Sequence, residues 1–128
     1  MPILDIFFEK IEAERQEKIA LKQVKVALNV KDPKEFKTLD DKKIILFPFE
    51  FSVDYEKQAK ILIGGNVSFV EDKKRIDEIM KNLKKDREKE RELMKALHNF
   101  VFARCSVKAL YLEEQLGLPF HIALPRFK

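Results

Sequence analysis

The sequence predicts an α+β protein: an antiparallel sheet followed by one short and one long helix packed on one of its faces. Two patterns carry this. Apolar residues alternate strictly through Ile45–Tyr55 and again through Ala59–Phe69, which is the spacing of strands with one buried face. Downstream the period changes to that of helices, and strands followed by helices, rather than alternating with them, imply α+β.

The first segment, Ile3–Arg15, fits two templates. Leu4, Phe7, Phe8 and Ile11 have helical spacing, whereas Leu4, Ile6 and Phe8 alternate. Gln23–Val30 is a half-buried strand with Val24, Val26, Leu28 and Val30 on one side, closed by Lys31-Asp32-Pro33 because proline lacks a ladder N–H. The polar run Phe36–Lys43 is expected to be a loop. Ile45, Phe47, Phe49, Phe51, Val53 and Tyr55 share a face, and Pro48 among their opposites indicates an edge or a bulge. A polar turn at Glu56-Lys57-Gln58 leads into Ala59, Ile61, Ile63, Gly65, Val67 and Phe69, completing a long hairpin. Gly64-Gly65 in mid-strand marks a bulge or sharp bend more readily than a ligand-approach site.

Asp72 is placed to cap a helix whose Ile76, Ile79, Met80 and Leu83 form one narrow stripe. Lys84–Glu92 is almost wholly charged, an exposed connection or a hinge. The second helix, Leu93–Leu116, is apolar nearly all round, leaving mainly Arg104, Lys108, Glu113 and Glu114 for water, so burial on more than one side is expected. Gly117 supplies a left-handed stop and Pro119 prevents continuation. Phe120, Ile122 and Leu124 then alternate with His121 and Ala123 as an extended tail.

With 128 residues the chain suits a single domain, 1–128, with enough apolar mass, including eleven phenylalanines, to fill a core. It shows no run long enough for a membrane span and no leader pattern, so a cytoplasmic protein without membrane insertion is expected. The heavy charge content resembles that of hyperthermophile proteins. Only three glycines occur, too few and wrongly placed for a dinucleotide or phosphate loop.

Chemistry is sparsely signalled. His98 and His121 form no metal-ligand pair, and the single Cys105 builds no thiolate cluster, so neither metal nor cofactor is expected. Cys105 stands about two helical turns from His98, out of reach as a nucleophile pair, whereas Cys105 with His121 stays open. Paired carboxylates such as Asp40-Asp41 and Glu71-Asp72 sit in polar surroundings, and no enzyme is expected. Residues 71–95 hold ten basic and eight acidic side chains, interleaved as intrahelical ion pairs are; with Lys22, Lys25 and Lys31 they leave nucleic-acid binding as an alternative. Phe7, Phe8, Leu46 and Phe120 are hard to place on the inner face. Surplus apolar surface of this kind points to oligomerisation or to a site for polypeptides; the alternative is a strand assignment one residue out, with these residues in the core.

The helix run NFVFARCSVKAL, with Ala103-Arg104 and the neighbouring Cys105, resembles the aromatic-rich helix of the SecB-like export chaperones, and the Pro119 break and Leu/Pro tail follow as they do there. KIEAER (Lys10 to Arg15), FEFSVDYE (Phe49 to Glu56), RCSVKALYLEEQLGLP (Arg104 to Pro119) and ALPR (Ala123 to Arg126) look like small archaeal proteins of that fold. The resemblance implies that Ile3–Arg15 is a strand, which makes the fold an antiparallel four-stranded sheet followed by one short and one long helix packed on one face (SecB-like), and that the protein is an oligomer presenting apolar grooves to unfolded polypeptides. Unlike the bacterial export chaperones, this chain is net basic, at +4, and shows no second helix after the main one. The expected function is therefore non-catalytic binding of unfolded polypeptides or a partner protein, by a homo-oligomer. A structural subunit of a larger assembly is a further alternative.

Overall fold

The computed structural model describes residues 3–20 and 23–123; Lys22 and Leu124, named above, lie outside them. Five strands and two α-helices follow one another: β1 (Ile3–Arg15), β2 (Lys25–Val30), β3 (Lys34–Leu39), β4 (Lys42–Asp54), β5 (Ala59–Asp72), α1 (Lys73–Lys85) and, after a single 3-10 turn at Arg87–Glu90, α2 (Arg91–Leu116). The sheet is antiparallel, ordered β1-β5-β4-β2, with β3 also paired to β4. The expected four strands are thus five, and of the residues assigned to a loop 36–39 lie in β3 and Lys42-Lys43 in β4, with Asp40-Asp41 as the turn between them. Both β2 and β3 lie on one edge of β4, β2 along Phe49–Asp54 and β3 along Lys42–Leu46. Lys31-Asp32-Pro33 interrupts what is spatially one ribbon, so the expected strand end is real but the chain resumes pairing beyond it.

The hairpin is as the alternation requires. Ile45, Phe47, Phe51, Val53, Tyr55, Ile61, Ile63 and Val67 are completely buried, with Phe49 and Phe69 nearly so. Against this face lie Ile76, Ile79 and Leu83 of α1 and Leu97, Val101, Cys105 and Ala109 of α2. Small side chains at Cys105, Ser106 and Ala109 let α2 settle close to a sheet loaded with phenylalanine.

The mixed spacing of the first segment has a geometric cause. β1 pairs Leu4, Ile6 and Phe8 with Phe69, Val67 and Gly65 on the covered face, then slips by one residue at Glu9. Beyond this bulge Ile11, Ala13 and Arg15 take up the covered-face register opposite Ile63, Ile61 and Ala59. An added residue in a strand breaks strict alternation and mimics a helical period. The bend foreseen at Gly64-Gly65 is here, on the neighbouring strand. A Cβ on Gly65 would stand 1.9 Å from the Phe7 carbonyl oxygen, so the two backbones touch at this point.

At the other end of the chain, Gly117 has φ +64° and the Leu118 amide returns to the Glu113 carbonyl at 2.8 Å. Arg15 donates from Nη1 to the Leu116 carbonyl at 2.8 Å, a cation on the negative end of α2 that ties the last turn to β1. Asp72 precedes α1 but makes no side-chain cap; its carboxylate takes the Lys42 ammonium at 2.6 Å instead. Nor is the charged connection free. Glu90 is buried and accepts from both Arg75 terminal nitrogens at 2.8 Å and from Asn82 at 2.7 Å, which pins the 3-10 turn to α1.

Gly65→Ala is expected to unfold the contact between β1 and β5. The added methyl meets backbone rather than a yielding side chain, so a loss of at least about 2 kcal/mol is expected, read as a lowered chemical-denaturation midpoint. Gly64→Ala, whose Cβ would find its nearest neighbour at 3.5 Å, should be far milder.

Candidate functional site

The second face of the sheet carries neither helix, and it is not polar. Register places Phe7 opposite Asn66, and Ser68 opposite Leu46, on the side away from α2. There Phe7, Phe36, Ile44, Leu46 and Val70, with Glu9, Asn66 and Ser68, line a groove of about 330 Å³. Phe36 is 63% exposed and Phe7 52%, and they stand on β3 and β1 at opposite sides of it. An antiparallel sheet with one solvated face ordinarily turns polar side chains to water. Five large apolar side chains together on that face are a departure of the kind that marks an interaction surface.

Two larger hollows, about 610 Å³ and 510 Å³, lie along β1 and β5 and at the hairpin end. Their walls carry Glu12, Glu14 and Lys60, or Arg15, Asp54 and Lys57, so neither offers a sheltered apolar surface.

Of the four residues singled out from the sequence, Phe7 and Leu46 meet in the groove. Phe8 lies on the covered side, edge-on to Phe49 at 6.2 Å with the Lys108 ammonium 5.4 Å from its ring centroid. Phe120 lies past the end of α2, half-exposed and away from the groove. Phe36, Ile44 and Val70 were not foreseen there. Phe36 sat in the expected loop, and Ile44 and Val70 lie just outside the alternating runs. For Ile44 and Val70 the one legible signal is that each flanks a position whose buried side is already assigned, Ile45 and Phe69; Phe36 has none.

α2 is covered on one side only. Val107 is 66% exposed and Tyr111 62%, with Ala103 exposed and Phe100 and Leu110 half-buried on the same outward stripe. Glu113, expected in water, is instead fully buried.

It belongs to a polar cluster that holds the tail. The Tyr55 hydroxyl donates to Glu113 Oε2 at 2.7 Å and stands 2.8 Å from the Pro119 carbonyl oxygen. His121 Nδ1 lies 2.9 Å from both Glu113 oxygens, and Nε2 lies 3.0 Å from Ser106 Oγ. Burial and the adjacent Glu113 carboxylate push the Tyr55 hydroxyl pKa well above its ordinary value. A Ser-His-Glu order is the sequence of contacts in some hydrolases. Here the Glu113 and His121 side chains have no exposure at all, with the rings of Phe51 and Phe102 packed against the imidazole at 5.8 Å and 6.4 Å. No substrate reaches such a serine without opening the core, and the cluster acts as a clamp on residues 118–121.

The open Cys105–His121 pairing is not formed; burial pushes the Cys105 thiol up to about 12, and an inert packed thiol results. His98 Nδ1 stands 2.8 Å from the Met94 carbonyl oxygen of its own helix. Among the described residues no group of three or more His, Cys, Asp or Glu side chains is placed to hold a metal ion. No described helix is long and apolar enough to cross a membrane.

The charged stretch is only partly the self-paired surface its interleaving suggests. Arg75 and Arg91 pair within three residues, to Glu78 and Glu88, but Arg87 reaches Asp32 at 2.7 Å. Its lysines make no ion pair among the described residues.

No protein-family model matches the chain, and neither a curated protein nor a solved structure is found to match it.

Tyr55→Phe removes one donor from buried Glu113 without altering the packing volume, and should cost about 1–3 kcal/mol in urea unfolding. Glu90 gives a pH-dependent counterpart. Burial disfavours its charge, yet Arg75 and Asn82 outweigh this and hold its carboxyl below the ordinary 4.5. The stability it contributes is therefore fully present above the unfolded value and lost as pH falls through the lowered folded one. Glu90→Gln should destabilise the protein at pH 7 by about 1–3 kcal/mol and flatten the acid limb of a stability-against-pH curve.

Proposed function

We propose that this protein binds unfolded or partner polypeptides, without catalysis, through the apolar groove on the open face of its sheet. The observation that carries the proposal is the gathering of Phe7, Phe36, Ile44, Leu46 and Val70 around one hollow on a face that no described element of the fold covers. A groove of about 330 Å³ holds one or two large side chains. Binding by such a surface is hydrophobic and tolerant of sequence, as a holding chaperone requires. The succession of an antiparallel sheet and a long helix packed on it supports a SecB-like relationship, as do the helix and tail motifs. We place the protein in the cytoplasm.

The stripe of Ala103, Val107 and Tyr111 on α2 supports self-association on the opposite side of the molecule. An oligomer would then present several grooves to one client, and weak contacts would add through their effective concentration.

Aggregation of a chemically unfolded client, followed by light scattering, tests the proposal. Near-stoichiometric protection is expected from the native sequence. Phe36→Ser and Leu46→Asp should abolish it while leaving the thermal midpoint within a few degrees, because both side chains lie on the open face. No protection at any ratio, or protection untouched by both substitutions, would remove the proposal.

Nucleic-acid binding is the second reading, favoured by the unpaired lysines between residues 73 and 95. It predicts retention on RNA or heparin that falls steeply between two salt concentrations.

A further inference from the structure

The groove has two differently charged banks. Asp5 is in register with Ser68 and Glu9 lines the groove, so carboxylates stand along β1. Lys34 is in register with Leu46 and Lys37 with Ile44, which puts two ammonium groups along β3 on the same face. All four side chains are exposed, and none forms an ion pair among the described residues. Between the banks lies the apolar floor of Ile44, Leu46 and Val70, contributed by β4 and β5.

We infer that the groove selects an extended polypeptide segment lying across the strands, with an acidic residue at its β3 end, a basic residue at its β1 end and large apolar side chains between. The inference rests on the polypeptide-binding reading above and adds to it what the bound segment must look like. The distance across the four strands is three inter-strand spacings, about 14 Å. An extended chain covers that in about four to five residues, which sets the separation of the two charges. Opposite charge at each bank is attractive, and like charge at either is repulsive, so the ends of the segment decide which segments stay.

A second copy of this chain is a poorer occupant. A two-fold axis along the strands would set carboxylates over lysines, but it would bring two hollows face to face and leave a void between them. An inserted segment fills the hollow instead. Segments with two acidic ends meet Asp5 and Glu9, and those with two basic ends meet Lys34 and Lys37.

Three fluorescent pentapeptides with the same Leu-Ser-Phe centre test this by anisotropy: one with Glu and Lys ends, one with two Glu ends, one with two Lys ends, all blocked at the termini. The mixed-end peptide is expected to bind about three- to tenfold more tightly than either other, in line with two exposed charge pairs, and its advantage should shrink in high salt. In the Lys34→Glu, Lys37→Glu double variant the preference should move to the two-Lys peptide. Equal affinities for the three, or an unmoved preference in the double variant, overturns the inference and leaves hydrophobic binding standing. Binding that survives Leu46→Asp places the peptides elsewhere and overturns it also. If none of the three binds while clients are still protected from aggregation, the selected segment is wrong. If neither happens, the underlying reading falls with it.

Discussion

Everything in this molecule follows from how one face of the sheet is satisfied. β4 and β5 send Phe47, Phe49, Phe51, Val53, Ile61, Ile63 and Val67 to the same side, and α1 and α2 close over them. Burying each such side chain contributes about 1.5–3 kcal/mol, so the choice of covered face leaves no real competitor. Because both helices are committed to it, no described element remains for the other face. The groove is thus a consequence of topology as much as of its own residues.

The closure of the covered face depends on polar fixtures that are buried or half-buried. Arg15 ties β1 to the last turn of α2, Glu90 joins the 3-10 turn to α1, and Tyr55, Glu113, His121 and Ser106 hold the chain after Gly117 across the hairpin. Every buried side-chain nitrogen and oxygen among the described residues has a partner. Satisfied networks of this kind rigidify the elements they join. Rigidity on the covered side is what the proposed function calls for, in which the open side presents a preformed hollow rather than building one on contact.

Much of this was legible in the residues. Alternation identified β4 and β5 and the face each buries, and Gly117 and Pro119 located the end of α2. What stayed hidden arose from interruptions of the regular period. Phe7 and Phe8 fall on opposite faces by the ordinary pleat of a strand whose parity the mixed spacing conceals, because the bulge at Glu9 shifts the register beyond them and brings Ile11 and Ala13 to the covered side. A second register slip between Glu35 and Lys37 turns a polar stretch into β3 and sets Phe36 over the groove. Glu113 looked like a solvent-facing charge because a lone carboxylate gives no hint of the tyrosine and histidine that reach it from 58 and 8 residues away. Periodicity reports local repetition, while a binding surface is assembled where strands distant in sequence come side by side.

The proposed function requires polypeptide contact on the open face of the sheet and not on the other exposed apolar surface, the outer stripe of α2. Site-specific photo-cross-linking separates the two directly. A benzophenone side chain is placed at Phe36 in one variant and at Val107 in another, and each is illuminated with a radiolabelled unfolded client. A client adduct is expected from position 36, and from position 107 either a homodimer of this chain or none. Client captured at position 107 and not at 36 would contradict it.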